Sequence, residues 1–289
     1  MDFRNAKELL ELCRQADLSI SEIMRQREIE QGETTGEEAD CRMAKAYEIM
    51  QQSARTPVNT PGRSMGGLIG GEAKRLSEHQ KSGKSMCGSL LGKAMMYAMA
   101  VLETNSSMGL IVAAPTAGSA GIVPGLMIAM QEEYGFTDEQ MIRALYNAGA
   151  IGYLAMRNAT VAGAVGGCQA EVGVASAMAA SAAAELLGAS PKSCLDAAST
   201  VLMNMLGLVC DPVRGLVEYP CQNRNAAGVA NALIAAEMSL SGIVQRIPLD
   251  EMIDVMYSVG KRLPVELRET ALGGCATAPS VCDACLGCK

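Results

Sequence analysis

Eleven cysteines in a chain of 289 residues raise the question of what their thiols do. Three of them lie far apart, each where a loop containing glycine or proline meets an apolar segment: Cys168 in GGCQAEVG, Cys210 in CDPVRG and Cys221 in EYPCQNRN. Such loops can present backbone N–H groups to the sulfides of an iron–sulfur cluster. Three ligands would also leave one iron open for catalysis. Three buried structural cysteines are the alternative that the residues themselves leave open.

A second group of cysteines lies near the C-terminus. Cys282, Cys285 and Cys288 form a C-x2-C-x2-C pattern, with Cys275 as a candidate fourth ligand. Judged by spacing, this pattern is more typical of an iron–sulfur or zinc site than the three scattered cysteines are. A tail with solvent-exposed thiols and no metal is the alternative.

The segment PTAGSAG, residues 115–121, is a candidate anion site. Its small residues open the apolar helix IVPGLMIAM, and the first N–H groups of a helix attract negative charge. No Lys-Ser or Lys-Thr pair follows, so a carboxylate is a better candidate ligand than a nucleotide. Arg214, Asn223 and Arg224, close to Cys221 in the chain, are further candidates for holding an anion. A helix start that needs small residues for packing is the competing interpretation.

The sequence has one histidine, His79, in the polar segment LSEHQKSGK. We expect it to be an exposed surface residue, not a catalytic one. With no other histidine, neither a Ser-His-Asp or Cys-His nucleophile nor a histidine-based zinc site can be identified. A pyridoxal cofactor on a lysine finds no support either, because no alternating strand–helix pattern with a phosphate loop is present.

Helices must position these residues. Apolar residues make up 49% of the chain, yet only 3% is aromatic, with 20 methionines, 30 glycines and no tryptophan. Alanine and unbranched side chains favour closely packed helices, and sustained alternation of β-branched residues is absent. We predict an all-α fold, a single compact helical domain with site loops rich in glycine and proline. Residues 1–62 would form a helical N-terminal extension and residues 275–289 a cysteine-rich tail.

Local signals predict where some helices begin and end. The glycine- and proline-rich segments 56–76 and 104–127 break helical periodicity, and a helix is expected over about residues 88–103. Thr137 is a candidate helix N-cap, and Ser190 caps a further helix whose first residue is Pro191.

Charge and hydropathy exclude several classes of protein. The net charge of −7 argues against a nucleic-acid partner. The start, MDFRNAKELLELC, is an amphipathic helix of mixed charge and does not resemble a signal peptide. Residues 172–188, the most apolar stretch, are expected to form a buried helix and not a membrane span. We therefore expect a cytoplasmic protein with a small-molecule ligand and no membrane partner.

Five segments lie in the same order along the chain as motifs of a known enzyme family. They are RSMGGLIGGEAKRL, ETNSSMGLIVAAPTAGSAGIVPG, GGCQAEVGVASAMAA, CDPVRGLVEYPCQNRNAAGVANA and ETALGG, between about residues 63 and 274. Together they resemble the α subunit of the iron–sulfur-dependent L-serine dehydratases, also called L-serine deaminases. The resemblance implies an all-helical, oxygen-sensitive enzyme that converts L-serine to pyruvate and ammonia. It also implies a partner, because the family's α domain pairs with a separate β subunit or follows a fused β domain.

The resemblance also assigns site residues. It implies that Cys168, Cys210 and Cys221 ligate a [4Fe-4S] cluster whose fourth iron stays open to L-serine and acts as a Lewis acid. The general base is not identified in this chain and is expected on the β subunit. The residues expected to bind the substrate are Thr116, Ala117, Gly118, Ser119, Asn223 and Arg224.

The C-terminal tail departs from the family pattern, since many relatives end soon after ETALGG with fewer cysteines. One of Cys282, Cys285 and Cys288 is expected to cap the open iron in the resting enzyme. A second metal site and redox protection are the alternatives for these thiols. For the whole protein, the alternatives are a cluster-dependent L-cysteine desulfidase and a non-catalytic iron–sulfur or zinc scaffold that uses the tail.

Overall fold

A computed structural model describes residues 1–282 of the chain. Within this range the secondary structure is helical and no β-strand forms, which confirms the all-α prediction. The helices are α1 (Ala6–Ala16), α2 (Ile20–Gln31), α3 (Gly36–Asn59), α4 (Glu72–Lys81), α5 (Gly88–Ser106), α6 (Ile122–Tyr134), α7 (Asp138–Asn158), α8 (Gly163–Gly166), α9 (Val174–Leu186), α10 (Pro191–Asn204), α11 (Cys221–Leu240), α12 (Leu249–Arg262) and α13 (Pro279–Cys282).

Side-chain caps fix several of these boundaries. The Thr137 hydroxyl accepts a hydrogen bond from the Gln140 N–H, and the Gln140 side chain accepts one from the Thr137 N–H, so the predicted cap is part of a capping box. Ser190 caps α10, with Pro191 at its first position as predicted. Helix α5 ends at Ser106, three residues beyond the expected end. Caps are local features, and this is why the sequence reveals them.

The alanine-rich helix α9 lies at the centre of the molecule. Every residue from Val174 to Ala184 is buried, and the helix packs against α6, α7, α10 and α11. A helix that is apolar on all sides is stable only when other helices surround it, and small side chains let those helices approach closely. The prediction of a buried helix within residues 172–188 is therefore confirmed. None of the helices described is both long enough and apolar enough to cross a lipid bilayer.

Helices α5 and α6 approach each other closely at a glycine. A Cβ atom on Gly125 would lie 2.8 Å from the carbonyl oxygen of Ala94 and 2.8 Å from the backbone nitrogen of Ala98. Because both atoms belong to the backbone, a side chain at Gly125 would push the two helices apart.

We therefore expect Gly125→Ala to lower the free energy of unfolding by about 2 kcal/mol, in the range found for overpacked cores. Gly149→Ala in α7 is the matched control, because the nearest atom to its added Cβ, the Met24 Cε, is 4.0 Å away. Alanine should raise the free energy of unfolding there by about 0.5–1 kcal/mol. Urea unfolding of both variants checks this. Equal effects at the two positions would contradict the close approach.

Five segments that separate the longer helices are linked to one another by hydrogen bonds. They are residues 60–71, 107–121, 159–173, 205–220 and 263–278, and the hydrogen bonds between them are described below. Upstream of these loops, helix α2 packs on α7, and α3 packs on α5. The division into an N-terminal extension over residues 1–62 and a tail over residues 275–289 stays a prediction.

Candidate metal and substrate site

The structure brings together three cysteines that are far apart in the sequence. Cys168, Cys210 and Cys221 are buried, with 3%, 4% and 8% of their surface exposed. Interaction with the Cys168 thiol, and then burial, raises the pKa of Cys210. Burial, and then Cys168, raises the pKa of Cys221 to about 12. All three thiols therefore lie in one neighbourhood.

No three Cys, His, Asp or Glu side chains within residues 1–282 are placed to hold one ion. A cubane cluster makes a different demand, because each cysteine binds a different iron and the sulfurs surround the cluster from several sides.

A glutamine next in the chain positions Cys168. The Gln169 N–H donates to the Leu208 carbonyl at 3.0 Å, and the Gln169 side chain accepts from the Gly207 N–H and donates to the Met256 carbonyl. Gln169 also begins a π-helical turn, Gln169–Gly173, that leads into α9. These bonds tie Cys168 to the segment that precedes Cys210. Sequence reasoning missed Gln169, although it belongs to the quoted GGCQ motif.

Cys210 is held by the ETALGG region. Its N–H donates to the Leu267 carbonyl at 2.9 Å, and its carbonyl accepts from the Glu269 N–H at 2.7 Å, which gives a parallel β-bridge between Cys210 and Arg268. The segment near the C-terminus thus fixes the backbone of a central cysteine.

Cys221 is the first residue of α11, and no side chain caps this helix start. The positive end of the helix dipole favours a thiolate at that position. Just before it, Glu218 is 2% exposed and accepts hydrogen bonds from the Ser64 hydroxyl and from the N–H groups of Gly66 and Leu68. A buried carboxylate therefore fastens the loop over residues 60–71 to the start of α11.

Arg224, predicted to bind substrate, makes contacts within the protein. It lies 2.6 Å from Asp211 in an ion pair and donates to the Val209 carbonyl at 2.8 Å. Asp211 also accepts from the Cys275 N–H at 2.6 Å. Arg224 therefore contacts the residues on both sides of Cys210, the Val209 backbone and the Asp211 side chain, and a substrate contact from it stays a prediction. Asn223 is exposed.

The PTAGS turn lies against this group of residues. The Thr116 hydroxyl donates to Glu171 Oε1 at 2.8 Å and lies 3.1 Å from the Ser119 hydroxyl. Ser119 is fully buried, whereas Ala117 is exposed. The first hydrogen bond of the turn runs from the Ser119 N–H to the Thr116 carbonyl, so the turn itself does not use the N–H groups of Ala117 and Gly118.

Two polar side chains that sequence reasoning missed connect this turn to the cysteines. Asn225 accepts from the Gly121 N–H and donates to the carbonyls of Gly118 and Cys221. Glu171 Oε2 lies 3.6 Å from the Cys210 Sγ. Burial raises the pKa of the Glu171 carboxyl. Both residues stand in quoted motifs, but their partners are distant in the chain.

The remaining predicted residues lie elsewhere. His79 is exposed on α4, as expected. Arg214 is exposed and lies beside the Gly66 carbonyl. Cys285 and Cys288 are outside the described residues, as is the side chain of Cys282, so the prediction of a cluster cap falls outside the described part of the chain.

Comparison with known proteins identifies the family. A family model described as "Serine dehydratase alpha chain" matches residues 15–276. The chain is 48% identical over 278 residues to the probable L-serine dehydratase, alpha chain of Bacillus subtilis, covering 96% of this chain and 92% of the relative. It is 43% identical over 271 residues to the L-serine dehydratase, alpha chain of Peptoniphilus asaccharolyticus, covering 94% of this chain and 93% of that relative. It is 37% identical over 284 residues to the L-serine dehydratase of Helicobacter pylori, of which it covers 61%. The chain belongs to the serine dehydratase alpha chain family.

Proposed function

We propose that this chain is the α subunit of an L-serine ammonia-lyase, in which Cys168, Cys210 and Cys221 hold a [4Fe-4S] cluster. The observation that carries the proposal is the burial of these three distant cysteines beside one another, next to the PTAGS turn. The names of the relatives, L-serine dehydratase alpha chains, support the reaction.

The residues present fit a cluster. Thiolates are its usual ligands. A Cβ atom on Gly163 would lie 2.9 Å from the Cys210 Sγ, so glycine at this position keeps space beside that sulfur. The start of α11 and the Arg224 guanidinium supply positive potential near a group that carries several anionic sulfurs.

When bound, the cluster supplies an iron with an open coordination position, a Lewis acid for the hydroxyl group of serine. The chain's own residues bind and orient the substrate. Thr116, Ala117, Gly118 and Ser119 form the turn that holds the substrate carboxylate, where the N–H groups of Ala117 and Gly118 are available. Arg224 keeps the segment around Cys210 in place through Asp211 and Val209.

Loss of the α-proton and of the hydroxyl from L-serine releases water and gives 2-aminoacrylate, which tautomerises and hydrolyses to pyruvate and ammonia. We place the general base on a β subunit, because the sequence has one histidine and it is exposed on α4. The Helicobacter pylori relative is longer than this chain, which covers 61% of it, as expected if some members carry both parts in one chain. We propose that the complex works in the cytoplasm, where free thiols persist, and that a tail cysteine caps the resting cluster.

The test is purification under argon with the partner chain. We expect stoichiometric iron and sulfide, a spectrum that changes when L-serine is added, and pyruvate as product. Zinc without iron would overturn the proposal in favour of a scaffold. Faster sulfide release from L-cysteine than pyruvate release from L-serine would overturn it in favour of a desulfidase.

A further inference from the structure

Glu171 projects its carboxylate between the two halves of the proposed site. One oxygen, Oε1, accepts a hydrogen bond from the Thr116 hydroxyl at 2.8 Å, on the turn that would hold the substrate carboxylate. The other, Oε2, lies 3.6 Å from the Cys210 Sγ. Glu171 is partly exposed, whereas its neighbours Ala170 and Val172 are buried. The carboxylate is therefore accessible to a ligand that occupies the site.

Among the residues that the structure describes, Glu171 has no oppositely charged partner. No lysine, arginine or histidine within residues 1–282 forms an ion pair with it. The charged side chain that acts on it, Glu269, is also acidic, and the Cys210 thiol donates a hydrogen bond to it. Other buried carboxylates differ in this respect, because Glu103 and Glu218 each accept hydrogen bonds from two backbone N–H groups. Glu171 is partly buried and accepts hydrogen bonds from the Thr116 hydroxyl and the Cys210 thiol, with no cationic partner among the described residues. Such a carboxylate favours binding of a positively charged ligand.

Two glycines border the same carboxylate. A Cβ atom on Gly118 would lie 3.3 Å from Glu171 Oε1, and one on Gly163 would come into steric conflict with Oε2. Larger residues at either position would crowd the carboxylate or turn it away from the site. The two glycines therefore allow the Glu171 side chain to keep its present orientation.

We propose that Glu171 binds the ammonium group of the substrate, and that it makes the site selective for α-amino acids over hydroxy acids that lack an amino group. This inference rests on the proposed function and names a specificity determinant for it. A zwitterionic amino acid offers one group of each charge, so its carboxylate meets the turn at residues 116–119 while its ammonium meets Glu171. A charge-assisted hydrogen bond of this kind is among the stronger polar contacts in proteins.

The experiment compares L-serine with 3-hydroxypropanoate, which keeps the carboxylate and the hydroxyl group but lacks the ammonium. Rapid-mixing titration of the cluster spectrum of the iron-loaded complex under argon, read before turnover, should give at least about a tenfold preference for binding L-serine, as expected for a hydrogen bond between charged groups. In Glu171→Gln the preference should fall below about threefold, because L-serine binds more weakly while 3-hydroxypropanoate does not. Iron content is measured in the same samples.

Glu269→Gln is the matched control, because it removes a nearby negative charge without removing the carboxylate that contacts Thr116. The preference for L-serine should survive this change. The inference is overturned if the wild-type complex binds both ligands equally, a result that needs no variant to fold. It is also overturned if Glu171→Gln keeps the preference and loses only turnover, or if Glu269→Gln abolishes the preference as well. In each of these cases, iron content and pyruvate formation by the wild-type complex would still support the proposed function. Failure of the Glu171 inference is therefore distinguishable from failure of the proposed function.

Discussion

Cys221→Ser is expected to yield protein that lacks bound iron and forms pyruvate more than about 100-fold more slowly than the wild type. Changes to residues that merely support a metal ligand cost up to about 100-fold in metal affinity or activity, and loss of a ligand should cost more. Serine is close to cysteine in size, and Cys221 lies at the start of α11, so the helix itself should persist. Iron per chain, visible absorption and pyruvate formation measure the effect.

Cys194→Ser is the control for this prediction. Cys194 is fully buried in α10, where its thiol lies 3.8 Å from the Ala189 carbonyl. Its replacement tests the loss of a buried thiol away from the proposed site, and we expect wild-type iron content. If Cys221→Ser kept its iron, or if both variants lost it, the assignment of Cys221 as a ligand would be wrong.

Glu218→Ala is expected to lower the free energy of unfolding by about 4 kcal/mol, because it leaves three donors without an acceptor and each costs about 1–3 kcal/mol. The donors are the Ser64 hydroxyl at 2.7 Å, the Gly66 N–H at 2.6 Å and the Leu68 N–H at 3.0 Å. Urea unfolding measures the change. Iron content should fall as well, since Glu218 immediately precedes the segment that leads into Cys221, and loss of its side-chain bonds to residues 64–68 would loosen the start of α11.

Glu78→Ala, at an exposed position of α4, provides the comparison and should change stability by less than about 0.5 kcal/mol. The loss of stability in Glu218→Gln should lie between those of Glu218→Ala and Glu78→Ala, because the amide keeps one acceptor oxygen. Equal stability of the Glu218 and Glu78 variants would show that the loop over residues 60–71 does not depend on this carboxylate.

The sequence predicted what depends on short-range chemistry. Thr137 and Ser190 cap helices as expected, since a cap and its partner are three residues apart and few other arrangements satisfy them. The buried helix α9 was equally evident, because a run of alanine, serine and valine with one methionine has no polar face to expose.

Contacts between distant segments could not be predicted in this way. Glu171 and Thr116 are 55 residues apart, and no periodicity relates them. The same holds for Arg224, whose ion pair with Asp211 becomes evident only when α11 and the Cys210 segment lie side by side. The three cysteines match no local spacing rule, and family resemblance, not their spacing, indicated that they belong together.

The connection between Cys168 and α9 has a consequence for assembly of the enzyme. Cys168 leads through the turn at Gln169–Gly173 directly into the helix around which α6, α7, α10 and α11 are packed. Whatever binds at this thiol stabilises the folded chain by mass action. This added free energy of unfolding applies to the whole helix bundle. On the proposed function, insertion of the cluster would act as a late folding step, and a newly made chain without it would be a better substrate for cellular proteases than the loaded protein.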